Sequence, residues 1–106
     1  DGVSIGRIIS MLARQNRLVI LANYLLKQDI TREEVTKRLG ITAEFAVRKT
    51  IDQAYKYNAS TLVGFHTRIL ETDIAVKTGQ MADELSLELL VGEMASSQSK
   101  KDSQRR

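Results

Sequence analysis

Apolar residues recur along this chain at spacings of three and four with charged residues between them, and proline is absent. That period is helical from end to end. It predicts an all-α fold, a compact bundle of five helices. The first helix is predicted over Ser4 to Gln28, with Ile5, Ile8, Ile9, Leu12, Val19 and Leu26 along one stripe. Its second half, Leu18-Val19-Ile20-Leu21-Ala22, is apolar nearly all round, which places it at the centre of the bundle. A short second helix follows over Arg32 to Leu39. Thr31 and Glu34 form a capping box at its start, and Gly40 supplies the left-handed residue that stops it. The third is predicted over Ala43 to Tyr57, with Thr42 as N-cap and Val47, Ile51, Ala54 and Tyr55 facing inward. The fourth starts near Ser60, read as its cap, and stops at Gly79. The fifth covers Asp83 to Ala95, where Leu85, Leu87, Leu89, Leu90, Val91 and Met94 make a wide apolar face.

After Ala95 the chain is Ser, Gln, Lys, Arg and one Asp, with no apolar surface to bury, so residues 96–106 are expected to be a disordered basic tail. Residues 1–95 then form one helical domain. A chain of 106 residues buries roughly 60–70% of its unfolded surface, enough for a core without staples. With no cysteine there are no disulfides and no thiolate metal sites. That leaves the compartment open, and an intracellular address fits. No run of about 18 uncharged apolar residues is present, so no membrane span is expected. The first residue is Asp1 and no signal-peptide pattern follows, so the chain reads as a piece of a longer protein.

The net charge of +3 suggests nucleic acid, but its distribution does not. The tail holds Lys100, Lys101, Arg105 and Arg106 against Asp102, a net of +3. The body therefore has 12 basic and 12 acidic residues and is neutral. It lacks the basic footprint of a DNA-binding module, and any DNA contact is expected to be weak and to run through the tail.

Catalytic chemistry finds little support. His66 is the lone histidine, with no second His or any Cys to complete a metal site. Lys77-Thr78-Gly79 has no phosphate-loop pattern before it. The carboxylate pairs Glu33-Glu34 and Asp83-Glu84 sit at helix starts, where the macrodipole favours them. No catalytic residue, metal, cofactor or small-molecule ligand is expected. The stretch Glu33 to Ile41 does look like the first helix and turn of a helix-turn-helix, with Arg48 and Lys49 on the helix that would read DNA. The docking position after Gly40 falls on Ala46, while the larger Val47 and Ile51 come one place later, and Thr36 replaces the usual small residue. A structural helix-turn-helix is the better reading, and a DNA-binding regulator is the runner-up for the whole chain.

The fourth helix carries a polar anomaly. Asp73 falls on the stripe Leu62, Phe65, Ile69 and Val76, and an acid on an apolar face needs a partner or an edge. Lys77, four residues on, shares its face; Arg14 or Arg17 of the first helix could serve instead. The alternatives are a solvated ion pair and a semi-buried polar anchor that sets how helices cross.

The stretch Leu70-Glu71-Thr72-Asp73-Ile74-Ala75-Val76-Lys77-Thr78-Gly79 resembles the signature near the end of the delta subunit of the bacterial DNA polymerase III clamp loader. Leu85-Ser86-Leu87-Glu88-Leu89-Leu90 is similar to that family's final helix, and Leu12-Ala13-Arg14-Gln15-Asn16-Arg17-Leu18 to its Arg-Gln-x-Arg helix. Glu34 to Ile41 and Gln53-Ala54 follow in matching order, so the resemblance covers about residues 7 to 94. Ala82-Asp83 stands where the family often has Asp-Pro, and Asp29 where it often has a larger residue. The resemblance implies the third, or collar, domain of a cytoplasmic replication protein. It implies a scaffold that hydrolyses no ATP and leaves clamp opening to another domain. The implied partners are the collar domains of delta prime and the gamma/tau subunits; Leu87 and Val91 of the fifth helix are the expected contact residues because a terminal helix has fewer partners within one domain.

Overall fold

The computed structural model describes the backbone of residues 4–80 and 83–104, and side chains of 4–80 and 85–96. Five helices follow one another: α1 (Ile5–Leu26), α2 (Arg32–Leu39), α3 (Glu44–Lys56), α4 (Ala59–Lys77) and α5 (Asp83–Gln104), with no strand among the described residues. The fold is the expected all-α five-helix bundle. α1 is its hub: α2, α3, α4 and α5 all pack against it, and α4 and α5 also pack against each other.

The helix ends follow from local chemistry. The Ser4 hydroxyl accepts the Arg7 amide, and the Thr31 hydroxyl accepts the Glu34 amide at 3.1 Å. The Glu34 carboxylate turns forward to Arg38 at 3.0 Å, so half of the capping box forms. Gly40 and Gly79 have φ of 70° and 72°, the left-handed region both stops require. Past α4 the Gln80 amide bonds the Ala75 carbonyl and the Gly79 amide bonds that of Val76, the paired bonds of a glycine-ended helix. Two caps differ from expectation. α4 is capped by Asn58, whose Oδ1 accepts the Thr61 amide at 2.8 Å and the Ser60 hydroxyl at 3.0 Å, so Ser60 lies inside the helix. At α3 the N-cap is Ala43, which has no oxygen to offer, and Thr42 is one residue too early to cap.

α5 corrects the expected boundary at its far end. It stays helical to Gln104, past the predicted stop at Ala95 and through most of the tail expected to be disordered. Residues 96–104 hold neither proline nor glycine, so nothing there breaks a helix once it is running. Arg105, Arg106, the tail's lysine side chains, Ala82 and the side chains of Asp83 and Glu84 lie outside the described residues.

The core falls into two clusters along α1. One gathers Val19, Ala22, Leu25, Val35, Leu39, Ala54, Leu62 and Phe65; the other holds Ile9, Ala13, Ile69 and Leu90. Met94 of α5 packs against both. Tyr57 meets Phe65 edge-on, ring centroids 5.2 Å apart. Tyr55, expected inside, is 69% exposed. The inner arc of α3 is Val47, Thr50, Ile51 and Ala54, and Tyr55 lies a further 100° round the helix from Ala54.

Between these apolar groups run polar side chains of α1. Asn16, buried at the join of the clusters, donates through Nδ2 to the Leu62 carbonyl at 2.9 Å. Asn23 donates to the carbonyls of Ala54 at 3.1 Å and Tyr57 at 3.3 Å. Gln15 donates to the Thr50 hydroxyl and to Gln53 Oε1 of α3. The last carbonyls of a helix have no partner within it, so Asn23 satisfies the buried end of α3 from outside. Asn23→Ala is expected to lower stability by about 1–3 kcal/mol, because it strands a buried acceptor. Urea unfolding checks this; a loss under about 0.5 kcal/mol would mean water replaces the amide.

Candidate functional site

Large apolar side chains are exposed on α4 and α5, as they are at Met11, Leu21 and Tyr24 of α1 and at Phe45 and Tyr55 of α3. Val63, Leu70 and Ile74 are exposed on α4 at spacings of seven and four, which puts them on one face. On α5, Leu85, Leu89 and Val91 are exposed. Leu90 and Ser86 point into the core and Leu87 is half-buried against the cluster of Ile9, Ala13, Ile69 and Leu90. Of the two contact residues expected from the sequence, Val91 is 51% exposed, whereas Leu87 is largely engaged within the domain. Leu85 and Leu89, one turn apart, offer the open apolar surface instead.

An ionic link that no sequence pattern announces joins α4 to α5 beside their apolar contact. Arg68 Nη2 donates to Glu93 Oε1 at 2.9 Å and its Nε to Glu93 Oε2, while Nη1 reaches Glu71 Oε1 at 3.1 Å. The hydrogen bonds from Arg68 hold the Glu93 carboxyl below the usual carboxylate range, and those carboxylates hold the guanidinium more firmly protonated. A two-point Arg–carboxylate fork fixes direction as well as distance. Its partners are 25 residues apart on different helices, too far for helical periodicity to pair them.

Asp73 pairs with Lys77 Nζ at 2.8 Å, within α4, and neither Arg14 nor Arg17 reaches it. The Asp73 side chain is 24% exposed and that of Lys77 70%. The buried place on the stripe goes to Thr72, whose hydroxyl bonds back to the Arg68 carbonyl at 2.8 Å. The pair bridges no two helices. Arg14 lies along a groove between α1 and the turn before α3, and Arg17 is exposed.

The helix-turn-helix candidate is α2, the Gly40 turn and α3. Both helices rest on α1. The outer face of α3 carries Phe45, Arg48, Lys49, Asp52, Tyr55 and Lys56 around a shallow basin. Glu44 lies within 4.0 Å of both Arg32 and Arg48. Two carboxylates, Glu44 and Asp52, interrupt the basic residues that would meet phosphates. A face interrupted in this way lacks the continuous run of cations that neutralises phosphates.

His66 is half-buried with Nδ1 enclosed and without a hydrogen-bond partner. Among the described residues no three His, Cys, Asp or Glu side chains gather as a metal site. No helix among them is long and apolar enough to cross a membrane.

A solvated pair within one helix is worth little. Asp73→Ala is therefore expected to cost under about 0.5 kcal/mol, with a coupling of about 0.3–0.5 kcal/mol to Lys77 in a double-mutant cycle. No coupling is expected to Arg14 or Arg17. A loss of about 1 kcal/mol or more would restore the semi-buried anchor.

Comparison with curated proteins and with solved structures finds no match. A family profile described as the C-terminal domain of the DNA polymerase III delta subunit matches residues 2–94, which takes in α1 to α4 and the part of α5 that packs on the core. This chain belongs to that family, as the C-terminal domain of a DNA polymerase III delta subunit.

Proposed function

We propose that this domain is a non-catalytic scaffold that holds delta in the clamp-loader ring during DNA replication. Its family is one of clamp-loader subunits. The observation that carries the scaffold reading is the exposed apolar surface of α4 and α5, at Val63, Leu70, Ile74, Leu85, Leu89 and Val91. A domain working alone in water gains nothing from several large apolar side chains grouped on two neighbouring helices. A domain that associates with other helical domains buries them. The partners in this reading are the collar domains of delta prime and gamma/tau, the setting is the cytoplasm, and DNA is touched weakly through the basic tail.

Co-elution of this chain with the C-terminal domains of the other clamp-loader subunits tests the reading. Association with at least one of them is expected, and none with the sliding clamp. Ile74→Asp and Leu89→Asp, both at exposed positions, are expected to weaken association by about tenfold or more while melting like the parent chain. Tight binding to the clamp by this domain alone, or indifference to both substitutions, would overturn it.

A further inference from the structure

A groove of about 850 Å³ runs between the first half of α1 and the start of α3. Its floor includes Leu18, Ile41 and Ala46, and Met11 stands at its side, 61% exposed. No residue of α4 or α5 lines it, so it is separate from the apolar surface already described.

The charged side chains that line the groove have one sign. Arg14 of α1 and Lys49 of α3 stand along it, both exposed and neither within ion-pair distance of a carboxylate among the described residues. No Asp or Glu lines it. α3 begins here on Ala43, which offers no side-chain acceptor, so its first amides have no side-chain cap, and Glu44 of that first turn is drawn to Arg32 and Arg48. The stretch of α1 from Ile8 to Leu18 is about 15 Å long, which matches two to three turns of a second helix. Methionine at an exposed edge adapts to varied apolar shapes.

We propose that this groove docks a partner's amphipathic helix that carries aspartate or glutamate beside its apolar stripe. The apolar stripe covers Met11, Leu18 and Ile41, and the carboxylates meet Arg14, Lys49 and the open end of α3. This is the helix-in-groove mode, with charge setting which helix is accepted. It stands independently of assembly through α4 and α5.

The test uses the full chain and two designed peptides of about three turns, identical in their leucine stripe. One has glutamate on its flanks and the other lysine. Fluorescence anisotropy is expected to show the glutamate peptide binding about tenfold or more tighter than the lysine peptide. Met11→Asp should weaken the glutamate peptide by about tenfold, and Arg14→Glu with Lys49→Glu should reverse the preference. All three positions are exposed, and thermal melts followed by circular dichroism check folding. If the reversed variant does not fold, Arg14→Gln with Lys49→Gln should level the two affinities. Equal binding of both peptides by the parent chain, binding of neither, or an unchanged preference in the folded variants overturns the proposal. So does a dimer of the chain that Met11→Asp dissociates in sedimentation, which would assign the groove to a second copy.

Discussion

The Nδ2 group of Asn23 bonds two carbonyls at the end of α3, and the rest of the bundle is arranged around the helix that carries it. α1 packs against four neighbours, so the polar side chains on its inner side, Asn16 and Asn23, are cut off from water and must bond protein. Asn16 and Asn23 sit seven residues apart, on the same side as Ile9. Each bonds a backbone carbonyl of a different neighbour, one on α4 and one on α3. Apolar packing alone tolerates small slides of one helix along another. A buried amide does not, because a slip of one residue leaves both donor and acceptor without partners. The orientation of α3 and α4 about α1 therefore depends on these two amides and on the Gln15–Thr50–Gln53 contacts beside them.

Much of this was legible in the sequence, and the failures are physically informative. The helical period placed all five helices, and the unbroken apolar run Leu18–Ala22 marked α1 as central, because only a surrounded helix can be apolar all round. Gly40 and Gly79 fell where left-handed residues were needed. Caps were harder. Ser60 and Asn58 are both good caps, and only the path of the chain into α4 decides for Asn58. Asn16 and Asn23 were visible as letters, but a search for apolar stripes passes over polar residues at core positions. Arg68 and Glu93 left no trace, since their meeting depends on how α4 and α5 pair. Asp73 has the edge position and the partner, Lys77, that an acid on the stripe needs, while Thr72 takes the buried place beside it.

The surface follows from the same division. α4 turns Leu62, Phe65 and Ile69 toward the core and Val63, Leu70 and Ile74 outward, so it is apolar on two sides. α5 does likewise with Leu90 inside and Leu85, Leu89 and Val91 outside. Each helix thus carries large apolar side chains beyond those its own domain buries. The groove beside α1 differs in kind. It is bordered by cations and the start of a helix, and so selects a partner by charge as well as by shape.

Native-state hydrogen exchange, residue by residue, tests the central place of α1 most directly. If α1 is the hub, the amides from Val19 to Leu25 exchange only when the whole domain unfolds, with a free energy equal to that from urea melts. Exchange of these amides through a cheaper local opening, while those of α4 stay protected, would contradict a bundle organised around α1.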